Sequence, residues 1–289
     1  MPLASRVAVV TGSTRGLGLA MARVLGHGGA HVVVSSRSDS HVKTAVDSLR
    51  AEGISASGLT CDTTILAEVE ALRDHALAHG ILRVWINNAG VSGVYGPTAS
   101  TPVDDFINVV RTNIVGTFHG SRVALPVFLE QGFGDLVNLY GEGDNGPVAM
   151  QNAYASSKRW VRQFTETLRR ETRASGVRVH GMNPGLVTTD LLRKVTAQKG
   201  YERRLDALPV VIALWGRTPA EAARPILRLV TTNRFVYRGL RPPSLLTRAV
   251  RNIAAGRLRA TNRIRLDVST LDPTPEPHEE NEQVDAVRR

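Results

Sequence analysis

Short runs of β-branched residues alternate with helical patterns from the start of this chain, and that alternation leaves few folds open. Val7–Val10, His31–Ser35, Ser57–Thr60, Val84–Ile86, Leu136–Leu139 and Val177–Gly181 read as strands. Leu17–His27, Val42–Arg50, Ile65–Ala78, Val103–Glu130 and Ala153–Ala174 read as the helices between them. Strands separated by helices pair in parallel through right-handed crossovers, and the helices cover both faces. The expected fold is therefore α/β, a doubly wound parallel sheet with helices on both faces, or Rossmann fold. Ligands of such sheets lie beyond the carboxyl ends of the strands, so chemistry is expected where strands one, four and five end.

Thr11-Gly-Ser-Thr-Arg-Gly-Leu-Gly18 follows the first strand directly. Gly12 suits a tight turn, Gly16 lets backbone approach a phosphate, and Gly18 permits close helix packing. The stretch Gly12, Ser13, Thr14, Arg15, Gly16, Leu17 and Gly18 is thus expected to hold a dinucleotide pyrophosphate on the helix N-terminus. Arg15 lies in that turn and Arg37 just past the second strand, with no acid there before Asp39. An acid at that strand end would serve the ribose 2′-hydroxyl of NAD, whereas arginines pair with a 2′-phosphate, so NADP(H) is preferred over NAD(H). Asp62, after the third strand, suits either the adenine amine or the cap of the helix near Ile65.

Tyr154 and Lys158 stand four residues apart in Tyr-Ala-Ser-Ser-Lys, on one face of a helix. A lysine charge so placed favours the phenolate and is expected to make the tyrosine an acid/base near neutral pH.

Together these residues resemble the short-chain dehydrogenase/reductase family from about Val7 to Ala223. The family's TGxxxGxG motif is Thr11–Gly18, its NNAG motif Asn87-Asn88-Ala89-Gly90, its helix asparagine Asn113, its YxxxK motif Tyr154–Lys158 and its PG motif Asn183-Pro184-Gly185. The resemblance implies that Tyr154 delivers a proton to the substrate oxygen as hydride arrives. It implies that Lys158 holds the ribose hydroxyls and that Asn113 holds a water relaying protons to the lysine. Asn88, Ala89 and Gly90 would line the adenosine ribose. Pro184, Gly185, Val187 and Thr188 would line the nicotinamide side, with Thr188 on the carboxamide.

One family residue is missing. The serine that hydrogen-bonds the substrate oxygen, thirteen residues before the tyrosine, is Gly141 here, and no serine or threonine occurs between Arg122 and Ala155. Losing one donor of that type costs roughly 3–4 kcal/mol in measured cases. A water at Gly141, the Tyr140 hydroxyl, or a polar group of Glu142, Asp144 or Asn145 is each a conceivable replacement. Restoring the serine by Gly141→Ser is expected to raise turnover if the geometry is otherwise intact. The readings carried forward are an NADP(H)-dependent carbonyl reductase or alcohol dehydrogenase, a non-redox enzyme of dehydratase, cyclase or isomerase type using Tyr154 as acid/base, and a nucleotide-binding regulator without turnover.

No Pro/Gly/Ser-rich linker precedes about residue 240, so residues 1–240 are expected to form one catalytic domain, with a substrate lid at about 186–217. The family's closing glycine-rich strand is not evident after Arg238. Residues 241–270 read as a basic amphipathic extension, for which packing or a subunit contact is ranked above an anionic membrane surface. Residues 271–289, rich in proline and acid, read as a disordered tail. The net charge of +10 is dense only after Arg238 and defines no nucleic-acid site. No metal ligands are indicated. A single cysteine, Cys61, and the lack of a signal-peptide pattern or bilayer-length apolar run fit a cytoplasmic protein. Its partners are expected to be a small-molecule substrate and further copies of itself, as a homodimer or homotetramer.

Overall fold

The computed structural model describes residues 1–232, 234–239, 242–256 and 266–272. The chain runs β1 (Arg6–Val10), α1 (Gly16–His27), β2 (His31–Ser36), α2 (Asp39–Ala51), β3 (Ala56–Thr60), α3 (Leu66–Leu77) and β4 (Ile81–Asn87). Next come α4 (Val103–Val109), α5 (Gly116–Gln131), β5 (Gly134–Leu139), α6 (Asn152–Glu171) and β6 (Val177–Asn183). The last third holds α7 (Asp190–Arg193), β7 (Lys194–Gln198), α8 (Leu208–Trp215), α9 (Pro219–Ala223), α10 (Pro225–Thr231), β8 (Val236–Arg238), α11 (Pro242–Ala254) and β9 (Asp267–Leu271).

Seven strands form a parallel sheet in the order β3-β2-β1-β4-β5-β6-β8. Both faces are covered, which explains why the strands read as continuous apolar runs. Along β1, Ala8 and Val10 face a core with Met21, Leu25 and Ile226, while Val7 and Val9 face one with Leu72, Trp85 and Phe128. The order reverses between β1 and β4, and the crevice at that switch point is where the predicted site residues gather.

Three expectations need correction. The helix read over Val103–Glu130 is broken by a π-helical turn at Val110–Val115, centred on buried Asn113. Asn113 exchanges hydrogen bonds with both backbone groups of Val91, and these ties support the extra residue in the turn. The closing strand does exist: β8 pairs with β6 through Gly181↔Val236 and Asn183↔Arg238, just ahead of Gly239. Three residues are too few for a period to show in sequence. The extension is also partly built into the fold, because β9 pairs in parallel with β7 of the lid, taking in Leu271. The tail expected to be disordered lies, from residue 273, outside the described residues.

The segment expected to form the lid is stitched to the fold from both sides. Tyr95 exchanges backbone hydrogen bonds with Thr196 and Gln198, and Lys199 N–H donates to Leu271. Thr218 and Glu221 close a capping box at the start of α9. Among the described residues no helix is long and apolar enough to cross a membrane.

Candidate active site

The cofactor crevice is built by β1, β4 and the turn into α1. Gly12 has φ +61°, and a Cβ there would come within 2.9 Å of the Ala89 Cα. A Cβ on Gly18 would stand 2.6 Å from both Asn88 Nδ2 and the Gly12 carbonyl. Only glycine serves at either position. Asn88 fixes the turn, its Nδ2 donating to the Thr11 and Gly12 carbonyls at 2.9 and 3.0 Å. Thr11 Oγ1 accepts from the backbone N–H groups of Asn88 and Ala89. Helix α1 opens with no side-chain cap and no acid in its first turn, so its free N–H groups fit a pyrophosphate.

Ser13 has a different duty from its neighbours. Its buried hydroxyl donates to the Val10 carbonyl and accepts from Ser35 N–H, tying the turn to β2. Leu17 packs against the core, and Thr14 stays half-buried at the turn. Arg37 is exposed past β2. Arg15 is exposed too, but pairs with Asp190 of α7 at 2.6 Å, joining the glycine turn to the lid. Thr189 lies over Gly16, 3.2 Å from where its Cβ would stand. No local pattern signals this latch, since the partners are 175 positions apart. Asp62 acts as a turn former: its carboxylate accepts from Thr64 N–H at 2.9 Å.

In the turn after β6, Gly185 N–H donates to Asn183 Oδ1, and the Pro184 carbonyl accepts from Arg217. Val187 is buried and bridges to Arg217. The Thr188 N–H and hydroxyl both donate to the Arg217 carbonyl, at 2.9 and 3.1 Å.

The Tyr154–Lys158 pair sits on α6 against the end of β5. Lys158 is buried and donates to the Leu139 carbonyl at 3.1 Å, with its Nζ 5.6 Å from the Tyr154 ring centroid. A Cβ on Gly90 would lie 3.2 Å from Asn113 Oδ1 and 3.7 Å from Lys158 Nζ, so these three residues share one corner. Asn113 Nδ2 also donates to Ser157 Oγ at 2.9 Å, and that hydroxyl donates to the Tyr154 carbonyl at 2.7 Å. Ser157 is therefore a positioning residue that motif reading passed over. So are Asn87, Asn138 and Thr165, which form a buried chain from β4 through β5 to α6.

The expected acid/base tuning is reversed. Burial pushes the Tyr154 phenol up to about 12, and Glu142 and Asp144 add to that rise. Burial also pushes the Lys158 ammonium down to about 8. Tyr154 therefore holds its proton at neutral pH and is suited to give it up rather than to take one.

The candidate replacements for the missing serine separate clearly. Tyr140 is buried with its ring against Gly181 of β6, and burial pushes its phenol up to about 12. Asp144 is buried and turned to Asn183 (3.2 Å) and Arg238 (3.2 Å), and Asn145 receives Arg162 at 2.6 Å. These three side chains brace the loop between β5 and α6. Glu142 is exposed, as is Asn145. A Cβ on Gly141 would run into the Tyr154 hydroxyl. The phenol thus occupies the space in which a serine side chain would begin.

A family model described as short chain dehydrogenase matches residues 6–200. The chain belongs to the short-chain dehydrogenase/reductase family. It is an oxidoreductase of that type, acting on small organic substrates and equipped for a pyridine dinucleotide. It is 33% identical over 241 residues to a putative ketoacyl reductase of Streptomyces coelicolor, covering 78% of this chain and 90% of the relative. It is 38% identical over 192 residues to the chlorophyll(ide) b reductase NOL of Arabidopsis thaliana, covering 64% of this chain and 55% of that protein. The chain thus spans about half of that plant relative. Among solved structures, an actinorhodin polyketide ketoreductase variant with NADPH is 27% identical at a TM-score of 0.71, covering 93% of this short-chain dehydrogenase/reductase and 96% of that chain. A family member from Burkholderia phymatum in complex with NAD shares the fold at a TM-score of 0.76 and 24% identity, covering 90% and 96%.

Proposed function

We propose that this protein is an NADPH-dependent reductase of a carbonyl group on a small organic molecule, with Tyr154 as the proton donor. The observation that carries the reading is the placement of the Tyr154 phenol in the space that a side chain at position 141 would enter, beside buried Lys158. Bound across the crevice, the nicotinamide would supply the hydride. Tyr154 would both hydrogen-bond the carbonyl oxygen and give it the proton, serving in place of two donors. Lys158, largely charged below about pH 8, stabilises the phenolate left behind. Asn113 and Ser157 hold Gly90, Lys158 and the α6 backbone in register.

Arg37, Arg15 and the absence of an acid before Asp39 support NADPH over NADH, and release of Arg15 from Asp190 would give two guanidiniums for a 2′-phosphate. The ketoreductase relatives and the chlorophyll(ide) b reductase support a carbonyl substrate. The lid residues Leu191, Leu192, Tyr201, Leu205 and Leu208 supply apolar surface for it.

Gly141 also favours a second reading, a non-redox reaction run by the same tyrosine. The two are told apart by following NADPH absorbance with a panel of small ketones, quinones and β-ketoacyl thioesters. The reductase reading expects NADPH consumption that Tyr154→Phe lowers by ~10²–10⁴ while NADPH binding persists. Turnover of a substrate without any NADPH consumption would refute it.

A further inference from the structure

Residues 222–266 contain eleven arginines and no aspartate, glutamate or lysine, and the remainder of the chain is nearly neutral. The whole positive charge of the protein therefore comes from one stretch. Helix α11 lies inside it, and its amphipathicity is inverted. The face docked on the lid helix α8 is partly polar: buried Asn252 donates to the Leu214 carbonyl at 2.7 Å, and Leu245, Arg248 and Ala249 are half-buried. The outward face carries Leu246, Val250 and Ile253, exposed by 72%, 58% and 49%. Spaced four and three residues apart, these side chains make one continuous ridge, with exposed Arg251 beside it.

A helix docked merely to finish the core would turn this ridge inward. An apolar ridge pointing out, on a helix that carries arginine and no acid within a stretch of sequence of the same kind, complements a surface that is negative at its boundary and apolar below it. Nucleic acid would satisfy the arginines and leave the ridge in water. A second copy would bring an equal positive block against the first, at a repulsive cost. We infer that α11 docks this protein on an anionic lipid bilayer, with Leu246, Val250 and Ile253 set into the headgroup boundary and the exposed Arg251 beside them on the lipid phosphates. The docked helix would hold the lid side of the protein at the membrane, since α11 packs on α8.

The test is co-sedimentation of the full chain with vesicles of phosphatidylcholine alone and of phosphatidylcholine mixed with phosphatidylglycerol. Retention on the anionic vesicles only, weakening as salt rises, is expected. The variant Leu246→Gln/Val250→Gln/Ile253→Gln should lower that retention about a hundredfold while NADPH binding is unchanged. No retention of the wild type, equal retention on both vesicles, or undiminished retention of the triple variant would overturn the inference. So would a shift of the triple variant from dimer to monomer with no wild-type vesicle binding, which would assign the ridge to a second copy. Should the triple variant fail to fold, Leu246→Trp replaces it: its emission should shift to the blue on anionic vesicles, and an unshifted spectrum overturns the proposal.

Discussion

Replacing Gly141 tests the reading of the site most directly. The motif alone leads one to expect that Gly141→Ser restores a lost donor and raises turnover. The geometry leads to the opposite result, because the first atom of any side chain at 141 falls on the Tyr154 hydroxyl and lies 3.3 Å from Lys158 Cγ. The ring is rigid and its α6 backbone is anchored through Ser157, so relief requires the phenol to swing or the loop to move. Overpacking of this kind costs about 1–3 kcal/mol, and misplacing a catalytic atom by ~1 Å can cost ~10²-fold in rate. Gly141→Ala and Gly141→Ser should therefore both lower kcat by ~10- to 100-fold on a simple ketone. NADPH affinity, measured by titration calorimetry, should change little, because the glycine turn and α1 are untouched. Alanine separates the two effects, since it adds the clash without a hydroxyl. A rise in kcat of tenfold or more in Gly141→Ser, with alanine still impaired, would show that the ring yields and that the site lacks only its serine.

Four further outcomes follow from the same contacts. The rate of reduction should fall above about pH 8 as Lys158 loses its charge, with Tyr154 still protonated, and Lys158→Met should abolish that limb. Arg15→Ser combined with Arg37→Ser should cut the NADPH-over-NADH ratio of kcat/KM by tenfold or more, since each charge-assisted hydrogen bond is worth about 1.5–3 kcal/mol. Asp144→Ala should lower stability by about 3 kcal/mol in urea unfolding, because it leaves Arg238 and Asn183 without their buried partner. Burial, with His79 and His75 adjacent, pushes His31 down to about 4. The unfolded chain then binds more protons than the folded one between that value and about 6.5, so stability should fall as pH drops through this range, by about 1–2 kcal/mol after solvent screening. His31→Asn should flatten that slope.

Local signals carried most of the frame into the sequence. Six of the seven strands of the main sheet and the principal helices are legible because burial on both faces forces apolar runs, and the Thr218–Glu221 box is legible because a cap is a contact between near neighbours. The π turn escaped, since its cause is the pairing of Asn113 with Val91, across 22 positions. Strand β8 escaped because its three residues show no period. Within the site, the glycine turn and the Tyr154–Lys158 pair were plain, whereas Ser13, Asp144 and Tyr140 face partners that only the folded chain supplies.

What the linear order of residues determined by itself was the class of fold, the family and the tyrosine proposed as proton donor, because those depend on repeats and spacings within a few turns of chain. What only the tertiary structure decided was the state of that donor and the space around it. Desolvation is a property of everything packed about a group, and here, with Glu142 and Asp144, it favours the protonated Tyr154 phenol. The room next to Gly141 is likewise set by a ring from another element, which no reading of positions 138–145 could have revealed.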